Sequence, residues 1–155
     1  RYWRELAQRC TDAGVAVRLP WGNDGERERA ERIAAGIPLA TVLPKLPLAG
    51  IAAELANARA CVAVDTGLGH LAAALDVPTI SLFGATHPGL TGAWGAQQTH
   101  LASDFPCAPC LKKQCAYTPT ESDRERFDLV AEQPLCFTRL SPERVWERLT
   151  GMLQS

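Results

Sequence analysis

Six consecutive residues, Asp65-Thr66-Gly67-Leu68-Gly69-His70, bring together a carboxylate, two glycines and an imidazole. They directly follow Ala60-Cys61-Val62-Ala63-Val64, an unbroken apolar run expected to be a strand covered on both faces. The helix expected from about Leu68 would expose unpaired backbone N–H groups in its first turn. Those groups, with the positive end of the helix dipole, attract anions. Gly67 lets a phosphate approach the backbone with no Cβ in the way. His70, one turn into the helix, adds a donor or a positive charge. Asp65 repels phosphate but suits hydroxyl groups, so the six residues fit a ligand that joins a phosphate to a polyol, as a sugar nucleotide does. A purely structural turn is the plain alternative, with Asp65 capping the helix and His70 a surface side chain, although capping needs neither two glycines nor the histidine. Gly67-x-Gly69-x-x-Ala72 also matches the dinucleotide fingerprint formally. That match lies deep in the chain, and the next strand, ending at Phe83-Gly84, offers no acidic residue for a ribose.

The elements that must hold this turn are legible from periodicity. Trp3, Leu6, Ala7 and Cys10 predict a helix over 2–13, closed by Gly14. A strand over 15–19 ends at Pro20, and a charged, Ala-rich helix over 25–35 ends at Gly36. A short strand at 41–43 and a helix over 48–58 lead to the apolar run. After the turn, a helix reaches Leu75 and a strand covers 78–83. Residues 84–95, rich in Gly and Pro, read as an ordered loop, with a last strand at 97–102. Irregular sequence then continues to about Phe137, and Ser141-Pro142-Glu143 opens a final helix. Strands alternating with helices through short connections predict an α/β fold, a Rossmann-like parallel sheet with helices on both faces.

The bulk numbers fit one soluble globular domain: 155 residues, 46% hydrophobic, 21% charged, formal net charge -1. There is no basic stripe for nucleic acid and no apolar run near the ~20 residues of a membrane span. The opening Arg1-Tyr2-Trp3-Arg4 has neither an initiator Met nor a signal-peptide pattern, and reads as a piece of something longer. Without an export signal, the six cysteines are expected to be reduced. Cys10 and Cys61 read as small buried hydrophobes. Cys107 and Cys110 form C-x2-C, followed by Cys115 and, after a long gap, Cys136. Four such thiols fit a zinc site, a disulfide, or reduced thiols packed under the last helix. The alternatives stay open, with Lys112 and Lys113 placed to offset a negative site.

The run from Val64 to Asp76, followed by Pro78, Gly84-Ala85-Thr86 and Pro88-Gly89-Leu90, resembles the C-terminal domain of the bacterial ADP-heptose:lipopolysaccharide heptosyltransferases, glycosyltransferase family 9. Leu19-Pro20-Trp21-Gly22 and Val42-Leu43-Pro44-Lys45 are most similar to the heptosyltransferase I branch, which adds the first heptose to the Kdo region of the inner core. The resemblance implies a GT-B fold, of which residues 1–155 form a single C-terminal donor domain without the N-terminal acceptor domain. It implies ADP-L-glycero-D-manno-heptose as donor and Kdo-lipid A as acceptor, in a cytoplasmic enzyme peripheral to the inner membrane of a Gram-negative bacterium. Asp65 would bind heptose hydroxyls, and Thr66 and Gly67 would hold the diphosphate with His70 nearby. Glu26 would bond the ribose, and the backbone at Leu46 would meet the adenine edge. Nothing in the residues themselves separates Glu26 from the acidic run 24–31, which reads equally well as a solvated helix face. The implied reaction is an inverting displacement whose base lies in the missing domain, so this chain is expected to hold no catalytic residue. No metal and no cofactor are expected at the donor site. Competing readings are another GT-B glycosyltransferase or epimerase, which would prefer uracil, and a cysteine-loop interaction module on a Rossmann scaffold.

Overall fold

The computed structural model describes residues 1–127, 129 and 134–154. The expected irregular stretch therefore lies partly outside the described residues. The chain divides into two compact units, Arg1–Glu54 and Leu55–Ser155.

The first unit holds helix α1 (Tyr2–Asp12), strand β1 (Val17–Leu19), helix α2 (Asp24–Ala34), strand β2 (Ala40–Val42) and the start of helix α3 (Leu48–Ala56). Leu6, Ala7 and Cys10 of α1 and Ala30 of α2 are buried, the stripe their helical spacing dictates. Gly14 and Gly36 follow the two helices with φ +74, a left-handed conformation that glycine adopts without a Cβ penalty. The Arg4 guanidinium donates to the carbonyls of Arg32, Ile33 and Ala35, which the end of α2 would otherwise leave unpaired. β1 and β2 pair in parallel, Val17 opposite Ala40 and Leu19 opposite Val42.

The second unit holds β3 (Cys61–Val64), α4 (Gly67–Ala74), β4 (Thr79–Phe83), α5 (Pro88–Thr91), β5 (Gln98–Ala102), α6 (Glu121–Arg126), a 3₁₀ turn (Leu135–Arg139) and α7 (Pro142–Gln154). Its parallel sheet has the order β3-β4-β5, with Val64 opposite Leu82 and Phe83 opposite Ala102. β4, the middle strand, is buried throughout; Ile80 and Phe83 are almost fully covered. Burial of such side chains stabilises by about 1.5–3 kcal/mol each. The apolar run that reads as doubly covered is β3, yet all four of its residues are only half-buried. It is an outer strand of this three-stranded sheet, paired only with β4 among the described residues.

Among the described residues the strand pairings are all parallel, in a two-stranded and a three-stranded sheet. Two short helices depart from the expected loops. α5 starts with His87 as N-cap and Pro88 at its first position. α6 starts with a capping box in which Thr120 and Asp123 bond each other's backbone reciprocally. Among the described residues no helix is long and apolar enough to cross a membrane.

Candidate functional site

β3 delivers the chain to Asp65, and α4 begins two residues later. Thr66 is the N-cap, extended at φ -145 and ψ 163, and its side chain makes no capping bond. The first amide to bond back along the helix is His70 N–H, to Thr66 O at 3.3 Å. The N–H groups of Gly67, Leu68 and Gly69 precede that point and have no acceptor within the helix. A Cβ added at Gly67 would meet no atom within 4 Å, so this side of the turn is open. At Gly69 the helix lies close to β3, and a Cβ there would stand 3.4 Å from Ala63 Cβ. The two glycines have different work: one leaves space above the turn, the other seats the helix on the strand.

Asp65 does not cap the helix. Its Oδ2 accepts a hydrogen bond from Thr91 Oγ1 at 2.7 Å, and its Oδ1 stands 3.8 Å from His70 Nε2. The Asp65 side chain is 17% exposed and that of His70 50%, so a sheltered carboxylate faces a reachable imidazole. Asp65, Thr66, Gly69, His70, Ser81 and Thr91 border a solvent-open hollow of about 160 Å³. It is a shallow, open depression rather than an enclosed cavity.

Thr91 escaped the sequence reading because it sits on α5, in the stretch read as loop. α5 and the residues after it are well tied. His87 Nδ1 accepts Gly89 N–H at 3.0 Å, Gly92 N–H donates to Pro88 O at 2.8 Å, and His100 Nε2 lies 3.1 Å from Ala93 O. Phe83 meets the His100 ring edge-on at 5.3 Å. A Cβ at Gly92 would collide with Pro88 O and the His100 ring, which fixes glycine there. Thr86-His87-Pro88 was the available signal, an N-cap followed by proline.

Glu26 and Leu46 belong to the first unit. Glu26 Oε2 accepts Gly22 N–H at 2.7 Å, while Glu26 N–H donates to Asn23 Oδ1 at 3.0 Å. Its neighbours in the acidic run do other things: Glu28 pairs with Arg32 at 3.9 Å and Glu31 with Arg27 at 3.2 Å. Glu26 is thus the carboxylate of the three that folds back on the Trp21-Gly22 turn, a distinction invisible in the sequence. Trp21 is anchored by its Nε1–H to Leu43 O at 2.7 Å, with Arg27 and Lys45 over its ring at 5.7 and 5.9 Å. Leu46 lies half-buried in the coil between β2 and α3.

All six cysteines are free thiols. Cys10 is buried, as expected, but Cys61 is only half-buried on the edge strand; burial still pushes its thiol up to about 11. Of the late cysteines, Cys136 and Cys107 pack with Phe105 and Leu135, whereas Cys110 is half-buried and Cys115 exposed. Burial, then the proximity of Cys107, Cys110 and Cys115, pushes the Cys136 thiol up to about 11.

Residues 1–121 match the model of glycosyltransferase family 9 (heptosyltransferase). The chain belongs to this family. It is 70% identical over 152 residues to lipopolysaccharide heptosyltransferase 1 of Pseudomonas aeruginosa, a match covering 98% of this chain and 43% of that protein. Its structure is similar to that of E. coli heptosyltransferase WaaC with ADP, at a TM-score of 0.74 and 34% identity, over 97% of this chain and 38% of that one. The E. coli WaaC structure with ADP-2-deoxy-2-fluoro heptose gives 0.71 and 32%, over 97% and 37%. The expected fold class therefore holds: parallel sheets with helices, as in the heptosyltransferases of GT-B architecture. This family 9 chain spans less than half the length of the relatives it matches.

Proposed function

We propose that this chain is the donor-binding half of an inverting glycosyltransferase. The reaction moves heptose from ADP-L-glycero-D-manno-heptose to the Kdo-lipid A inner core in lipopolysaccharide biosynthesis. One observation carries the reading: helix N–H groups without an internal acceptor and a sheltered carboxylate share a single short turn. An anion and a polyol are thereby served side by side. The E. coli relatives solved with ADP and with a fluorinated ADP-heptose support the choice of ligand.

In this reading Thr66 and Gly67 hold the diphosphate through backbone N–H groups, and the α4 dipole with His70 offsets its charge. Asp65 Oδ2 stays on Thr91, and Oδ1 accepts a heptose hydroxyl. Glu26 and the Leu46 backbone take the ribose and adenine-edge roles the family implies. The catalytic base belongs to an N-terminal acceptor-binding half. That base takes the proton of the acceptor hydroxyl as its oxygen attacks the anomeric carbon. The bond to the diphosphate breaks on the opposite face, and ADP leaves with the electron pair, its growing charge met by the turn. No metal and no cofactor enters this chemistry. The whole enzyme works at the cytoplasmic face of the inner membrane of a Gram-negative bacterium, where its lipid acceptor lies. The chain alone binds donor weakly and turns nothing over.

Calorimetric titration with ADP, UDP and ADP-heptose tests this. The expected order puts both adenine ligands ahead of UDP. Gly67→Val should weaken both by about a hundredfold, or ~2.7 kcal/mol, while leaving the fold intact, since no atom lies within 4 Å of the new Cβ. Asp65→Ala should weaken ADP-heptose more than ADP. Preference for UDP would transfer the chain to another nucleotide-sugar enzyme, and equal losses in Asp65→Ala would remove its sugar role. Glu26→Gln keeps an acceptor for Gly22 N–H, so unchanged ADP affinity in that variant would remove Glu26 from the site.

A further inference from the structure

Among the described residues four polar or charged side chains are buried: Thr79, Ser81, Asp123 and Thr138. Three of them are satisfied within the fold. The Thr79 hydroxyl donates to Val77 O at 2.8 Å and the Thr138 hydroxyl to Leu135 O at 2.7 Å. The Asp123 carboxylate accepts from the hydroxyls of Thr120 and Tyr117. Ser81 is 4% exposed, and its hydroxyl has no hydrogen-bond partner among the described residues. A buried hydroxyl that bonds nothing loses its hydration without return, and native proteins keep few of them. Ser81 is the middle residue of β4, opposite Ala63 of β3 and His100 of β5. Strand alternation puts it on the same face as Phe83, and both border the hollow beside Asp65. Two small neighbours leave its oxygen uncovered. A Cβ at Gly69 would stand 3.8 Å from Ser81 Oγ, and the residue opposite on β3 is only an alanine.

We propose that Ser81 is a further donor-binding residue, whose hydroxyl pairs with a hydroxyl of the transferred sugar at the floor of the hollow. The chemistry of the lining favours a sugar over a phosphate there. Three hydroxyls, of Thr66, Ser81 and Thr91, border the hollow together with the Asp65 carboxylate. Thr66 makes no capping bond, and Thr91, which donates to Asp65, still has lone pairs to accept with. Ligand hydroxyls both donate and accept, so they can satisfy this set, whereas Asp65 repels phosphate oxygens from the same space. The inference rests on the donor reading of the turn and sharpens it. The α4 amides take the diphosphate, while Asp65 from the end of β3 and Ser81 from the middle of β4 read the sugar. A sugar that left the buried Ser81 hydroxyl unpaired would be rejected more strongly than one differing only in apolar bulk.

Ser81→Ala removes the hydroxyl and little else, and two readouts separate a ligand-binding serine from a structural one. Without ligand, Ser81→Ala should melt at the wild-type temperature or above it, because no internal bond is lost. Ser103→Ala is the structural control: its hydroxyl donates to Cys136 O and accepts the Phe105 N–H, so that variant should melt lower. In calorimetric titration, Ser81→Ala should weaken ADP-heptose about tenfold and leave ADP unchanged. A lowered melting temperature in unliganded Ser81→Ala would reveal a structural bond and overturn the proposal. Equal weakening of ADP and ADP-heptose would overturn it too, by putting the hydroxyl on the diphosphate. So would unchanged affinity for both ligands, with the donor reading left standing. A wild-type protein that binds neither ADP nor ADP-heptose would bring down the donor reading itself, and this inference with it.

Discussion

The turn after β3 and the segment between β5 and α7 are held by opposite means. The turn is local: a strand end, an extended N-cap and the first turn of a helix, all within residues 64–70. Its groups face outward, and a tie from Thr91 to Asp65 reaches it from elsewhere. The later segment is assembled from distant side chains. Ser103 Oγ donates to Cys136 O at 2.7 Å, and Arg139 grips Asp104 with two bonds of 2.6 and 3.0 Å. The Phe105 ring meets Tyr117 and Phe127 at 5.1 and 5.0 Å. Local backbone geometry can afford open groups, because the helix and sheet behind it supply the stability. The later segment, with little regular structure, is held by side chains gathered around Phe105, while residues 111–116 stay exposed. This contrast makes the first region suited to a ligand and the second to packing.

The largest effect should come from the centre of the second region. Phe105 is 1% exposed, and Phe105→Ala should lower stability by about 3–5 kcal/mol, the range for a buried phenylalanine. Thermal unfolding reads the loss, and the protein that remains folded should bind donor normally. A loss under ~1 kcal/mol, smaller than such burial predicts, would mean that the aromatic cluster does not hold the segment.

A pair of glycines tests the contrast directly. A Cβ at Gly84 would fall 2.6 Å from Cys136 Sγ and 2.8 Å from Phe137 Cε2. Gly84→Ala should therefore destabilise by about 1–3 kcal/mol through overpacking. Gly67→Ala meets nothing within 4 Å and should change stability by less than about 0.5 kcal/mol, as an open surface site does. Similar melting temperatures for the two variants would erase the distinction between a glycine kept for packing and one kept for a ligand.

The same contrast explains what the sequence revealed. The strands at 61–64 and 79–83 stood out because apolar runs between turn residues are a local signal. Asp65 to His70 stood out because the whole constellation is contiguous. Thr91 did not, since its bond to Asp65 spans 26 residues and no periodicity marks it. α6, six residues long, is too short to show a hydrophobic period, although Thr120-x-x-Asp123 announced its start. β3 was judged from its own apolar residues, and its place at a sheet edge depends on strands far along the chain. The packing of Cys136 with Phe105 is likewise set by the tertiary fold.

A smaller effect should follow from cutting the tie between Thr91 and Asp65. Thr91→Val keeps the shape but removes the hydroxyl that donates to Asp65 Oδ2. Loss of one such bond corresponds to about 1 kcal/mol, or roughly fivefold in affinity. ADP-heptose should weaken by that factor while ADP alone holds, and Thr91→Ser should restore the donor. Equal weakening of both ligands would show that Thr91 orders the turn as a whole rather than the carboxylate.

The smallest effect distinguishes a helix from each of these regions, α4 and α6. Asp123 accepts from the Thr120 N–H at 2.8 Å, the Thr120 hydroxyl at 2.7 Å and the Tyr117 hydroxyl at 2.8 Å. These bonds, the backbone one foremost, hold its carboxyl below the ordinary value. A depressed carboxyl stabilises the folded state above the unfolded carboxylate range, about 3.9 for Asp. That contribution is lost as pH falls through the lower folded value. Between pH 7 and 5 the capping box should be constant, and below about pH 4 α6 should fray. α4 has Thr66 as its N-cap, with no side-chain capping bond, so no carboxylate caps its first turn. Amide hydrogen exchange, corrected for intrinsic rates, should show the Arg124 and Phe127 amides losing protection in acid before those of α4. In Asp123→Asn that acid step should vanish. If α6 and α4 lose protection together at every pH, global unfolding governs both, and the capping box contributes nothing separable to the second region.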